Sequence, residues 1–241
     1  MKQFFHVLLY QPLYNLMIAL VAIMPGQDFG LAILAITIII RIILHPFSAA
    51  ALRSQRLMQH MQPQISELKA KFKDDKTGFN QASMELYKTN KVNPFSSCLP
   101  LLLQLPVLLA LYWVLTAGLE AIDPSILYSF TPRPDAVSPV AFGFIKLFEN
   151  SYVIAVLAGA AQYVQTKMLQ VPKPEVHTKG SKDEEMMSAM NKQMLYLMPI
   201  MTVVIGVSLP AGLTLYWLFS TLLTAAQQWY IFRSLDKEKA S

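Results

Sequence analysis

The sequence predicts an all-α polytopic membrane protein built on a bundle of five transmembrane helices. The chain has 241 residues, of which 54% are hydrophobic and only 15% are charged, and its mean hydropathy is +0.39. This balance is too apolar for a soluble domain of the same size. A bilayer core of about 30 Å requires about 20 apolar residues in a helix. Five stretches approach that length: residues 30–52, 99–119, 152–169, 194–209 and 211–232.

The N-terminal stretch, residues 7–24, is apolar but interrupted. Gln11, Pro12 and Asn15 leave only residues 16–24 free of polar side chains and proline. We therefore predict a helix that lies at the outer membrane surface rather than a sixth span. A span and a cleaved signal peptide stay open as alternatives, although residues 24–27 match a cleavage site poorly.

Residues 53–92, between the first two spans, are polar but patterned. Their apolar residues recur at steps of three and four, as on one face of a helix; these are Leu57, Met61, Ile65, Leu68 and Phe72. A turn follows at residues 74–78, and a second helical stretch covers residues 80–91. The pattern predicts a cytoplasmic helical hairpin, and the alternative is a connector that lies on lipid headgroups.

The other connections carry no catalytic arrangement. Residues 120–140 contain four prolines and predict an extended outer loop. Residues 171–193 predict a cytoplasmic loop. Residues 208–212 are too few for anything except a tight turn, so the fourth and fifth spans must be antiparallel neighbours.

The distribution of positive charge predicts the orientation. Eight Lys and Arg residues lie in residues 53–91, five in residues 167–192 and three after residue 232. The positive-inside rule then places these segments in the cytoplasm, the N-terminus outside and the C-terminus inside. The pI of about 9.2 follows from this topology and does not require nucleic-acid binding. The single cysteine, Cys98, excludes a disulfide within the chain and a thiolate zinc cluster.

Arg41 interrupts the apolar first span. A charge at that depth is costly on a lone helix, so it should face other helices or water. One face of the span is polar, and it carries Thr37, Arg41, His45 and Ser48. The other spans supply a matching polar set: Gln104, Gln162, Tyr216, Ser220, Thr224 and Gln227.

These residues predict a hydrophilic groove that opens to the cytoplasm, with Arg41 as its positive charge and no mid-span carboxylate to neutralise it. The alternative is that Arg41 snorkels along its own helix to the headgroups. Such a groove would draw an acidic or polar segment of another chain into the membrane.

Four strings then resemble a known family, the YidC membrane protein insertases, which are bacterial relatives of the mitochondrial and chloroplast insertases. They are IIIRIILHPFS (38–48), MQPQISELKAKFKDD (61–75), VNPFSSCLPLLLQLPVLLALYWVL (92–115) and LPAGLTLYWLFSTLLTAAQQW (209–229). The resemblance implies a five-helix core whose groove arginine, here Arg41, contacts substrate. It also favours Trp217 as a groove contact, a surface-lying first helix and a mobile cytoplasmic hairpin.

The resemblance implies an insertase and chaperone that moves short polar segments of nascent membrane proteins across the plasma membrane and releases apolar helices into lipid. Its partners would be nascent chains, the bilayer, the Sec translocon and the ribosome. The sequence shows neither the large extracytoplasmic domain nor the lipobox cysteine of other members, and only nine residues follow residue 232, which weakens the ribosome as a partner. We expect no cofactor, no metal, no catalytic activity and no direct contact with nucleic acid. The rival function is a small-solute or ion transporter or channel, which would usually need a substrate site closed from both sides and often a carboxylate for ion coupling.

Overall fold

The computed structural model describes residues 2–72, 75–93, 99–116, 122–134, 137–170 and 182–240. These residues are mostly helical. A π-helical turn, His6–Tyr10, joins the first two helices. The helices are α1 (Lys2–Phe5), α2 (Gln11–Ile23), α3 (Phe29–Lys71), α4 (Lys76–Thr89), α5 (Leu99–Thr116), α6 (Tyr152–Met168), α7 (Lys182–Gly206) and α8 (Ala211–Ala240).

The first predicted span and the first helix of the predicted hairpin are one continuous helix, α3. It begins at Asp28, whose side chain accepts hydrogen bonds from the backbone N–H groups of Gly30 and Leu31. Pro46 and Pro63 lie inside the helix without ending it. Packing carries α3 past the predicted boundary at residue 52, because Leu52 is buried in a small apolar cluster with Ile231 and Phe232 of α8. The short helix α4 then completes the predicted hairpin.

Two predicted boundaries differ from the structure. Helix α7 begins at Lys182, so residues 182–193 are helical instead of belonging to the predicted loop 171–193. This segment contains neither proline nor glycine and is rich in Met, Glu and Lys, which favour helix. Helix α8 continues to Ala240, past the end of the predicted fifth span. Residues 117–119 of the predicted second span lie outside the described residues.

Residues 122–134, which belong to the connection between α5 and α6, are folded onto the N-terminal helix, contrary to the extended outer loop predicted for residues 120–140. Asn15 of α2 organises it: the side-chain oxygen accepts from Tyr128 N and Thr131 Oγ1, both at 2.7 Å, and Nδ2 donates to Ile126 O at 2.9 Å. Gln11 Nε2 donates to the same carbonyl at 3.1 Å. The polar residues that interrupt the apolar N-terminal stretch are therefore the ones that bind this loop.

Helix α2 itself packs in the main core with α3, α5 and α8. Met17, Ile18 and Val21 are at most 1% exposed. Among the described residues, His6–Ile23 and Phe29–Lys71 are the two helices long and apolar enough to cross a membrane, with shorter apolar helices at Gln104–Leu115 and Leu195–Gly206. The surface-lying orientation of residues 7–24 stays a prediction.

A small β-hairpin fixes the N-terminal end of α3. Strands β1 (Val140–Ala141) and β2 (Ile145–Lys146) pair antiparallel, and Phe142 N donates to Asp28 Oδ2 at 2.6 Å. Gly30 is required here, since a Cβ on it would lie 2.2 Å from Ala141 Cβ. The same carboxylate thus caps α3 and anchors the hairpin.

Helices α6, α7 and α8 form the other half of the bundle. Small residues allow α6 and α7 to approach closely, and a Cβ on Gly159 would lie 2.4 Å from Val203 Cγ2. A short turn joins α7 to α8, as predicted for residues 208–212, and α8 begins with Ala211 N donating to Glu149 O at 2.8 Å. Helix α8 lies against α3, α5 and α6, so its polar face meets theirs.

Candidate functional site

Arg41 contacts two other helices instead of extending along its own. Its guanidinium donates to Gln104 Oε1 of α5 at 3.3 Å and forms a shorter hydrogen bond with Ser220 Oγ of α8. The side chain is partly exposed. This direction contradicts the snorkelling alternative, in which the cation would reach along α3 to the headgroups.

The partners of Arg41 are bonded to one another. Gln104 Nε2 donates to Tyr216 Oη at 2.7 Å, and Ser220 Oγ lies 3.4 Å from Gln104 Oε1. Tyr216 is 1% exposed. We call Arg41, Gln104, Tyr216 and Ser220 the polar seam, because they join α3, α5 and α8 by side-chain hydrogen bonds.

Two further predicted residues border the seam with their polar atoms already satisfied. Thr37 Oγ1 donates to Ile33 O at 2.5 Å, and Thr224 Oγ1 donates to Ser220 O at 2.7 Å. Both threonines are buried. Each hydroxyl bonds to a backbone carbonyl of its own helix, as hydroxyls inside helices often do. The two threonines therefore add no hydrogen bond between the helices.

Ser48 and Gln227 form a second polar contact between α3 and α8, toward the predicted cytoplasmic end. Gln227 Nε2 donates to Ser48 Oγ at 3.0 Å. Their positions in the two polar stripes are the sequence signal for this pair. His45 lies on the same side of α3 but its side chain is exposed.

Gln162 and Trp217 are not joined to the seam. Gln162 Nε2 donates to Thr166 Oγ1 of its own helix at 3.4 Å. Trp217 is partly exposed, and no hydrogen bond or ring contact connects it to the seam within the described part of the chain. The structure therefore brings together four of the predicted groove residues and leaves these two outside the hydrogen-bonded group.

The seam contains a cation without an anion. The ion pairs among the described residues are Arg56–Asp236 at 2.5 Å, His60–Asp236 at 3.2 Å and Lys146–Glu149 at 2.9 Å. None of them includes Arg41. Hydroxyl and amide oxygens solvate its charge but do not neutralise it, so the seam has a net positive charge.

A cluster of charged residues joins α3 to α8 closer to the C-terminal ends of both helices than the seam. Arg56 Nε donates to Asp236 Oδ1 at 3.0 Å, and Arg56 Nη1 donates to Gln59 Oε1 at 2.7 Å. The guanidinium also lies 5.0 Å from the centroid of the Phe232 ring. We call Arg56, His60 and Asp236 the latch. Sequence reasoning did not single out this group, because its residues are ordinary for a solvated helix face.

The four residues of the seam include neither a set of metal ligands nor a nucleophile paired with a base. Throughout the described ranges, no three His, Cys, Asp or Glu side chains lie together as a metal would require. The seam holds an amide, a phenol, a serine hydroxyl and a guanidinium, without a base aligned on the serine. Such a group can bind polar or anionic segments.

These features define a helical membrane protein with a positively charged polar seam between its helices. The family model described as 60Kd inner membrane protein matches residues 20–238. The chain belongs to this family, which agrees with the membrane class predicted from composition.

Several proteins called membrane protein insertase YidC are similar to the chain. That of Fusobacterium nucleatum is 37% identical over 206 residues, which cover 86% of this chain and 87% of that protein. The Methylobacillus flagellatus protein is 36% identical over 214 residues, which cover 89% of this chain but 34% of that protein. The Shewanella woodyi protein is 35% identical over 227 residues, which cover 94% of this chain and 37% of that protein. The chain thus spans about a third of the length of the last two relatives.

Proposed function

We propose that the chain is a membrane protein insertase. It moves short polar segments of nascent membrane proteins across the bilayer along the polar seam and releases their apolar helices into lipid. The observation that carries this proposal is the position of Arg41, a cation in an apolar span whose described partners are all neutral. The name of the relatives, membrane protein insertase, supports the same function.

The proposed mechanism begins with electrostatic attraction. A permanent positive charge in a site of low dielectric constant attracts an acidic or polar segment more strongly than the same charge in water. Gln104, Tyr216 and Ser220 can then exchange hydrogen bonds with the backbone of that segment, which would otherwise be unsatisfied in hydrocarbon. The step needs no nucleotide, because the apolar part of the substrate gains free energy as it enters lipid.

The proposed topology has five spans, with α2 at the outer surface, the N-terminus outside and the C-terminus in the cytoplasm of a bacterial cell. The groove opens to the cytoplasm at the His45 end. The partial exposure of Arg41 and the exposure of His45 support this opening. The positive charge of residues 53–91 supports the orientation.

The proposed partners are nascent membrane protein chains and the bilayer, with the Sec translocon and the ribosome as further candidates. The α3–α4 hairpin and the last turns of α8 are the surfaces that we propose for ribosome contact. No resident cofactor or enzymatic step forms part of the proposal.

Site-specific crosslinking tests the proposal directly. A photoreactive amino acid at Ser220 should capture a nascent single-span protein with a short acidic outer segment. The matched control is Leu222 on the same helix, whose side chain is 49% exposed and lies outside the seam. Capture from position 220 and not from 222 is the expected result, and equal capture would contradict a path along the seam.

A flux assay separates the insertase from a transporter. Vesicles containing the protein should show no uptake of small solutes that depends on Arg41. If Arg41→Ala abolished solute flux while nascent chains were captured from neither position, the transporter would replace the insertase as the best explanation.

A further inference from the structure

A cavity lies at the cytoplasmic ends of α6 and α8, apart from the polar seam. Its volume is about 520 Å³. One side is apolar and aromatic, and the other side is charged. The lining residues are Met168, Trp229, Phe232, Arg233, Asp236 and Lys237.

Three of these residues follow one face of α8. Trp229, Arg233 and Lys237 recur at steps of four, so they lie one above the other. The Arg233 guanidinium is 5.2 Å from the Trp229 ring centroid, and Trp229 is 55% exposed. Arg233 and Lys237 are exposed as well. An aromatic ring followed by two cations at the end of a span is the arrangement that suits the boundary between acyl chains and headgroups.

The Asp236 carboxylate in the cavity wall is neutralised by Arg56 of α3. Asp236 accepts two hydrogen bonds from Arg56, and His60 Nε2 lies 3.2 Å from Asp236 Oδ1. The Arg56 hydrogen bond holds the pKa of Asp236 below its ordinary value. The latch occupies Asp236, and the two cations of the cavity lining, Arg233 and Lys237, form no ion pair with a carboxylate of the described residues.

We propose that this cavity binds the phosphate headgroup of an anionic phospholipid from the cytoplasmic leaflet. Arg233 and Lys237 contact the phosphate, and Trp229 lies at the level of the glycerol. Met168 and Phe232 contact the first methylenes of the acyl chains. Basic pockets between spanning helices on the cytoplasmic side are suited to anionic lipids because both the charge and the depth match. The proposal rests on the orientation given above but not on insertase activity.

Native mass spectrometry tests lipid binding without a substrate. The detergent-purified chain is offered an equal mixture of phosphatidylglycerol and phosphatidylethanolamine. The double variant Arg233→Gln, Lys237→Gln should reduce the preference for phosphatidylglycerol roughly thirtyfold, which corresponds to about 2 kcal/mol for the two cations together. The matched control is Lys88→Gln with Lys91→Gln, two exposed cations of the hairpin region, which should leave the preference unchanged.

The latch provides an independent test. Arg56→Gln exposes the cavity to the full negative charge of Asp236 and should reduce the preference for phosphatidylglycerol severalfold. Adding Asp236→Asn should restore it, which a merely structural defect would not do. The proposal would be overturned if the Lys88→Gln, Lys91→Gln control lost the preference for phosphatidylglycerol. It would also be overturned if the Arg56→Gln, Asp236→Asn variant did not recover that preference.

Two further arms exclude other ligands. If inorganic phosphate displaced phosphatidylglycerol and protected the chain from heat equally well, the cavity would be a free-phosphate site and the lipid proposal would fail. If Arg233→Gln, Lys237→Gln weakened ribosome binding while its lipid preference equalled that of the unaltered chain, the basic pair would serve the ribosome, and the proposal would again fail.

Discussion

Two arginines of the same helix meet the same partner helix in different ways. Arg41 contacts Ser220 and Gln104, which are neutral, whereas Arg56 contacts the carboxylate of Asp236. Both side chains join α3 to α8 through hydrogen bonds. The difference lies in whether the charge is neutralised.

The comparison suits a helix pair in which one contact serves the proposed function and the other serves stability. At the partly exposed Arg56–Asp236 contact, water lowers the cost of the carboxylate, and the ion pair joins the helices. Beside Arg41, a carboxylate would neutralise the guanidinium and remove the proposed attraction for a substrate. The neutral partners orient the guanidinium while leaving its field available.

Removing the seam cation should give the largest effect. Arg41→Ala should slow the insertion of a single-span substrate at least about tenfold, which corresponds to roughly 1.4 kcal/mol of activation free energy. Arg41→Lys should keep most of the rate, since charge and not a forked geometry is required. An insertion assay in vesicles measures this, and equal loss in both variants would contradict the role of charge.

The matching change at the latch is the control for that experiment. Arg56→Ala should alter insertion much less than Arg41→Ala, because Arg56 is already neutralised. In thermal unfolding, by contrast, Arg56→Ala should lower the melting temperature more than Arg41→Ala. In the Arg41→Ala variant, Ser220 and Gln104 can still bond to each other, as they lie 3.4 Å apart.

A carboxylate placed in the seam should make the surroundings of Arg41 resemble those of Arg56 in the latch. Ser220→Asp would neutralise Arg41, and we expect a severalfold loss of insertion with thermal stability close to that of the unaltered chain. Ser220→Asn, similar in size and uncharged, should retain more activity in the same assay. If the Asp and Asn variants inserted substrate equally well, neutralisation would not be the cause of the loss.

The opposite change should make the latch resemble the seam. Asp236→Asn should lower the free energy of unfolding by about 0.5–1 kcal/mol, because the pair is partly exposed and screened by solvent. Chemical or thermal unfolding in detergent measures this difference. High salt should reduce it, and a difference that did not respond to salt would point to packing instead of charge.

The smallest expected effect is the pH dependence of the latch. The pKa of Asp236 lies below the usual 3.8, first because Arg56 donates hydrogen bonds to it. A carboxyl with a depressed pKa stabilises the folded state at pH values above its unfolded pKa and loses this contribution as pH falls through the folded value.

The difference in melting temperature between the unaltered chain and Asp236→Asn should therefore be constant near neutral pH and shrink below about pH 4. A His60→Gln background removes the other titratable partner of Asp236. A difference that grew on acidification would contradict the sign of the shift.

The sequence alone predicted the parts that depend on periodicity. The polar stripe of α3 and the polar stripe of α8 are visible because helical spacing places their residues on one face, and an arginine in an apolar span requires polar company. The spacing also predicted the hairpin helices. It did not predict that α3 would continue unbroken from the span into the hairpin, since packing of Leu52 against α8 overrides the change in composition.

The outer loop illustrates a different limit. Four prolines predict irregular structure, and the loop is indeed without long elements. Its attachment to Asn15 and Gln11 could not be predicted, because single hydrogen bonds between distant segments leave no periodic signal. The same polar residues were interpreted only as interruptions of an apolar helix.

What the sequence by itself determined is which faces are polar, where the positive charge lies and that most of the chain belongs in a membrane. What the tertiary structure decided is the register between α3 and α8. The contacts Arg41–Ser220, Ser48–Gln227 and Arg56–Asp236 keep a separation of 179 or 180 residues, so the two helices run parallel. In that register, Arg41 contacts the Ser220 hydroxyl and Arg56 contacts the Asp236 carboxylate. It follows from the packing of apolar side chains along the whole interface, which no local pattern specifies.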